Sequence, residues 1–114
     1  VVEVAEKSML WLKISVIGKQ CHASTPEAGI NSLMACSDFV LKTQQLYSKF
    51  DLKNDLFFPP VSTFSPTKKE ANVPNVNTIP GKDIFYIDCR VLPEYGLNEV
   101  IKVLKEIGKD VEQK

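Results

Sequence analysis

Residues 72–93 read NVPNVNTIPGKDIFYIDCRVLP. The second half is a strand, Asp83 to Leu92. Phe85, Ile87, Cys89 and Val91 alternate with Tyr86, Asp88 and Arg90, the period of two of a chain with one buried face. Pro93 stops it, because proline has no N–H to give to a ladder. The first half belongs to a loop, Glu70 to Gly81, stiffened by prolines and closed by the turn Asn77-Thr-Ile-Pro-Gly81. A shaped turn feeding a half-buried strand demands a sheet, and the rest of the chain must supply its partners.

A second alternating run spans Met9 to Ile17. Leu10, Leu12, Ile14 and Val16 share one face, and Trp11, Lys13 and Ser15 the other. Gly18 ends it, and Lys19 to Gly29 is loop, punctuated by Pro26 and Gly29. A helix is predicted from Asn31, its N-cap, to Phe50. Leu33, Ala35, Cys36, Phe39, Val40, Leu46, Tyr47 and Phe50 form one broad apolar face, fit to cover a sheet. Met34 and Leu41 stand apart, seven positions from one another on the polar side. They read either as two tolerated exposed apolar residues or as a narrow seam for a partner helix.

Asp51 to Pro60 is a linker. Val61 to Lys69 is a third strand, and Pro66 within it calls for an edge strand or a bulge. A last helix runs from Asn98 to the C-terminus, with Val100, Ile101, Leu104, Ile107 and Val111 at helical spacing. The order is β-α-β-β-α. One more strand would complete the ferredoxin-like split βαββαβ unit. The predicted fold is therefore α+β: one antiparallel sheet with two helices on one face, its final strand missing, and an unpaired edge at the first strand.

The 114 residues suit one domain with one core. Fourteen basic side chains balance fourteen acidic ones, so no basic excess points to nucleic acid and no polybasic run to a membrane surface. No apolar run approaches the ~20 residues of a spanning helix, and no signal peptide is evident. Cys21, Cys36 and Cys89 form no CxxC pair, which argues against a structural zinc site and for a reducing, cytoplasmic compartment. The opening Val-Val-Glu-Val-Ala-Glu-Lys reads as an entry from something upstream, so residues 1–114 are expected to be one domain of a longer protein.

Three residues are candidates for chemistry. His22, the single histidine, follows a strand end in a loop with Ser24, Thr25 and Pro26. It reads as an ordinary surface histidine, or as a donor to a developing oxyanion. Arg90 reads as the partner of Asp88 two positions away on the same strand face, or as a planar fork for a carboxylate. Asn77 reads as a turn-closing side chain, or as an amide that holds a ligand. No HExxH, GxSxG, P-loop or GxGxxG occurs.

Two segments carry a family resemblance. Residues 18–31, GKQCHASTPEAGIN, are similar to the G-x-x-x-H-x-x-x-P-x-x-G-x-N signature of the dinuclear-zinc amidohydrolases. That family includes succinyl-diaminopimelate desuccinylase, acetylornithine deacetylase and aminoacylase. Asn77–Gly81 matches its N-x-I-P-G turn, and Asp88–Pro93 its D-x-R-x-x-P strand. In that family these motifs belong to the lid, or dimerisation, domain. The resemblance implies a separate catalytic domain holding two zinc (or cobalt) ions, and no metal or other cofactor in this piece, which alone would be inactive. It implies that His22 reaches the partner subunit's active site in trans and stabilises the oxyanion, that Asn77 contacts the substrate, and that Arg90 binds the substrate carboxylate. The substrate would be an N-acyl amino acid or small peptide, the partners its own catalytic domain and a second copy in a homodimer. Met34 and Leu41 then fall at the dimer interface.

Two other functions fit a βαββα frame. One is a stand-alone ferredoxin-like module binding a small regulatory ligand. The other is an RNA-binding ferredoxin-like domain, which the missing RNP pattern in Asp83–Arg90 and the zero net charge disfavour.

Overall fold

The computed structural model describes residues 7–57 and 59–112. The opening Val1–Glu6 segment, Phe58 of the linker and the last two residues of the predicted C-terminal helix lie outside them. The elements are β1 (Ser8–Ile17), β2 (Cys21–His22), a 3₁₀ turn (Pro26–Ala28), α1 (Ser32–Lys42), α2 (Gln45–Lys49), β3 (Thr63–Lys69), β4 (Thr78–Ile79), β5 (Lys82–Val91) and α3 (Leu97–Glu112). The main sheet is antiparallel in the order β1-β5-β3. Helices on one of its faces complete an α+β, ferredoxin-like sandwich.

The alternation in β5 is realised as predicted. Phe85, Ile87, Cys89 and Val91 are buried, while Arg90 is exposed. β1 presents Leu10, Leu12, Ile14 and Val16 to the core and leaves Met9, Trp11 and Ile17 exposed. The helices lie on the apolar side: Phe39 of α1 meets Phe85 edge-on at 5.4 Å, and α3 contributes Val100, Leu104, Ile107 and Val111. Gly108 lets α3 approach α1, since a Cβ there would stand 3.1 Å from the Phe39 ring. Among the described residues, β1 and β3 are each paired on one side only. The unpaired edge expected at the first strand is present. Pro66 sits in the other edge strand, beside a register shift between Pro66 and Lys68.

Four expectations need correction. The helix predicted over Asn31–Phe50 is broken into α1 and α2 at Thr43. The Thr43 hydroxyl donates to the Val40 carbonyl at 2.6 Å, and its backbone N–H is shared between Phe39 and Val40. A Ser/Thr side chain bonding back onto the preceding turn bends a helix. The bend carries α2 over the end of β3, where the Tyr47 hydroxyl donates to the Phe64 carbonyl at 3.1 Å and accepts from the Phe64 N–H at 3.0 Å. One phenol thus satisfies both outward backbone groups of an edge residue. Leu33, assigned to the apolar face, is exposed; it lies about 120° round the helix from Phe39. The last helix starts at Leu97, so Asn98 lies inside it; the first-turn N–H of Glu99 bonds the Gly96 carbonyl. Finally, the loops 19–29 and 70–81 contain two short strands, β2 and β4, which pair with each other.

Candidate functional site

A backbone crossing beyond the Ile17–Lys82 end of the main sheet builds the site. Gly18 N–H donates to the Gly81 carbonyl at 2.8 Å, and Lys19 and Ile30 exchange hydrogen bonds of 2.8 and 2.9 Å. Asn31 caps α1, its side chain accepting from the N–H groups of Leu33 and Met34, as the sequence predicts. Ser32 ties that helix start to the turn, its N–H and hydroxyl both donating to the Pro80 carbonyl. The strands cross so closely that side chains are excluded. A Cβ on Gly18 would stand 2.2 Å from the Ile30 carbonyl oxygen, one on Gly29 2.6 Å from that of Lys19, and one on Gly81 2.9 Å from the Gln20 nitrogen. The motif glycines are therefore required by close approach.

The crossing brings His22 and Asn77 together. β2 and β4 place His22 opposite Thr78, and Ala23 N–H donates to the Asn77 carbonyl at 2.8 Å. Both residues are exposed. The Asn77 side-chain oxygen accepts a 3.4 Å bond from Thr78. Its amide nitrogen has no acceptor among the described residues. The loop before it is anchored at Asp83, a carboxylate buried at the start of β5. Asp83 pairs with Lys69 of β3 and accepts from Asn72 at 3.3 Å and from the Ile84 N–H at 3.1 Å. Buried carboxylates survive only when charge and lone pairs are both met. The neighbouring Cys36 thiol is pushed above its usual range by burial first and then by Asp83.

Arg90 is not part of this cluster. The register pairs Ile17 with Lys82 and Met9 with Arg90, so Arg90 lies at the opposite end of β5, about 26 Å along the strand. It donates through Nε and Nη2 to Asp88 at 2.8 and 3.2 Å, the intrachain pairing that its spacing allowed. Trp11, facing Asp88 across β1, donates to the same carboxylate at 2.9 Å. Trp11 went unassigned in the sequence, although the alternation had put it on the right face. Lys7, bonded to the Val61 carbonyl at 2.6 Å, is held below its usual range by burial and by the charge of Arg90.

The Asp88 carboxyl sits below its ordinary value, first because Arg90 donates to it, against an opposing burial effect, and with help from Trp11. A depressed carboxyl stabilises the fold above its unfolded value of about 3.9 and stops doing so as pH falls through the folded value. Urea-unfolding midpoints of wild type and Asp88→Asn should differ at neutral pH and converge in acid. A gap that stays constant down to about pH 2 would show that this carboxylate is not linked to folding.

Met34 and Leu41 are both strongly exposed, on the α1 face turned from the core. Leu41 also lines a groove of about 470 Å³ between α1 and the outer side of β3, with Val40, Pro66 and Phe85 among its walls. Among the described residues, no group of three or more His, Cys, Asp or Glu side chains could hold a metal, and no helix is long and apolar enough to cross a membrane. The three thiols are free.

Comparison with known proteins agrees with this architecture. Residues 4–114 match the model of the peptidase dimerisation domain. The chain is 44% identical, over 99% of its length, to an uncharacterized metallohydrolase of Methanocaldococcus jannaschii, of which it spans 28%. It is 48% identical, over 88% of its length, to an uncharacterized metallohydrolase of Methanococcus maripaludis, of which it spans 24%. The chain thus covers about a quarter of the length of these curated relatives. In fold it is similar to a crystal structure of a hydantoinase/carbamoylase family amidase from Burkholderia ambifaria. That match has a TM-score of 0.73 at 18% identity, over 95% of this chain and 25% of that one. A family match across nearly the whole chain, on a frame whose motif glycines are sterically obligatory, makes this chain a member of the peptidase dimerisation domain family.

Proposed function

We propose that this domain pairs two copies of a metal-dependent amidohydrolase and completes each active site across the twofold axis. One observation carries the reading: His22 and Asn77 sit together at one end of the sheet, while Arg90 sits at the other. A single copy cannot close these groups on one small substrate. Two copies can, with the twofold axis perpendicular to the strands so that the two sheets run in opposite directions. The His22–Asn77 end of one copy then serves the pocket to which the Arg90 end of the other belongs.

In that pocket Arg90 holds a substrate carboxylate, and the amide of an N-acyl amino acid or small peptide lies toward His22. As the amide carbon is attacked, charge builds on its oxygen, and the His22 N–H donates to it. Asn77 supplies a second donor to the reacting group. The two zinc (or cobalt) ions of this reading belong to a catalytic domain elsewhere in the polypeptide, a placement supported by the metallohydrolase relatives, of which this chain spans about a quarter. Three unpaired thiols suit a reducing cytoplasm.

The pairing surface is α1 with the groove beside β3. Met34 and Leu41 form an apolar seam there, and β3 offers an unpaired edge next to it. In the full-length enzyme, Met34→Asp with Leu41→Asp puts four carboxylates into a desolvated twofold interface. Light scattering should then report monomer, with turnover lost and metal content unchanged. A double variant that is monomeric yet fully active would refute action in trans.

A further inference from the structure

We propose that Ser24 is the positioning residue of His22, holding its ring in the tautomer that carries the proton on Nε2. The inference rests on the oxyanion role of His22 proposed above, and deepens it. Ser24 reaches one ring nitrogen twice. Its backbone N–H donates to Nδ1 at 3.1 Å, and its hydroxyl oxygen lies 2.7 Å from the same atom. A backbone N–H can only donate. Nδ1 is therefore the acceptor in the neutral ring, and the proton must sit on Nε2. The hydroxyl rotates freely: it donates to Nδ1 in the neutral ring and accepts from Nδ1–H in the imidazolium. In the imidazolium the backbone N–H loses its acceptor and only the hydroxyl contact remains, so Ser24 holds the neutral ring more firmly than the charged one.

The loop holds Ser24 in place. Thr25 N–H bonds the His22 carbonyl at 3.1 Å, Ala28 N–H bonds that of Thr25 at 3.0 Å, and Ala23 N–H bonds Asn77. Nε2 is the nitrogen left facing outward. An oxyanion needs a donor there, and the other tautomer would present a lone pair and repel it. Ser24 thus selects which face of an amphoteric ring the substrate meets.

The chain contains one histidine, so long-range ¹H–¹⁵N NMR of this chain reads its ring without ambiguity. The wild type should show a protonated Nε2 and a bare Nδ1 in the neutral form. Ser24→Ala keeps the backbone N–H and should keep Nε2 protonated, while the loss of the hydroxyl contact leaves the ring less firmly held. In the full-length enzyme, Ser24→Ala should lower kcat about fivefold to tenfold with KM moved less than about twofold, and Ser24→Thr should restore most of it. Among replacements of His22 itself, His22→Gln keeps a donor near Nε2 and should retain more turnover than His22→Asn, whose amide mimics Nδ1. A wild-type ring protonated on Nδ1 overturns the proposal. So does a Ser24→Ala enzyme of unchanged kcat beside a disabled His22→Ala enzyme, which leaves the role of His22 intact. If His22→Ala itself turns over normally, the oxyanion reading and this refinement fall together.

Discussion

Replacing His22 with alanine in the full-length enzyme lowers kcat by about 100- to 1,000-fold, the cost of losing one donor aimed at a developing oxyanion. Metal content should stay as in the wild type, because among the described residues no group of three or more His, Cys, Asp or Glu could hold a metal, and His22 is not part of the seam at Met34 and Leu41. The ring is exposed, and among the described residues its side-chain bonds are confined to Ser24, so its removal leaves no buried group unpaired. A fall in turnover is then a statement about chemistry and not about folding. Mixing separates trans from cis action. His22→Ala subunits are combined with subunits whose catalytic metal ligands are removed. If His22 serves the partner's pocket, each heterodimer has one intact site, and random pairing restores about one quarter of wild-type turnover. If His22 serves its own subunit, the mixture stays inactive.

Gly18→Ala is the second large effect, and it acts on the fold. The added Cβ would lie 2.2 Å from the Ile30 carbonyl oxygen and 3.1 Å from the Ser32 nitrogen. Both atoms are backbone, so no flexible side chain can give way. Ile30 is in addition locked to Lys19 by reciprocal hydrogen bonds. The expected loss is about 3 kcal/mol, at the upper end of overpacking costs, and it lowers the urea midpoint by roughly 1.5 M. The His22 ring signal should shift with it, because the crossing that holds β2 against β4 must open. Gly96→Ala is the control. Its Cβ meets nothing nearer than a Glu99 carboxylate oxygen at 3.7 Å, so its midpoint should hardly move. Equal losses at both glycines would show that the close approach at Gly18 does not set the cost of an added Cβ here.

The two predictions divide the motif residues. Gly18, Gly29, Asn31, Pro80 and Gly81 are spent on the crossing: they exclude side chains, cap α1 or accept from Ser32. His22 and Asn77 are what the crossing displays. The spacing of the motif does not show this division, because a glycine needed for contact and a histidine needed for chemistry look alike in a pattern. The double contact of Ser24 with His22 was also hidden, although a serine two positions from a histidine is the local signal for it.

Local chemistry was enough for the strand alternation of β1 and β5, the edge placement of Pro66, the Asn31 cap and the amphipathic α3. Each depends on a period or a steric rule acting over a few neighbouring residues. Tertiary structure alone decided the break at Thr43, the pairing of β2 with β4 and the gulf between His22 and Arg90. Strands of two residues have no period to detect, and their pairing comes from backbone crossings between segments over fifty positions apart. The distance between an imidazole on the small sheet and a guanidinium on the main one is set by register, and register exists only when two strands meet.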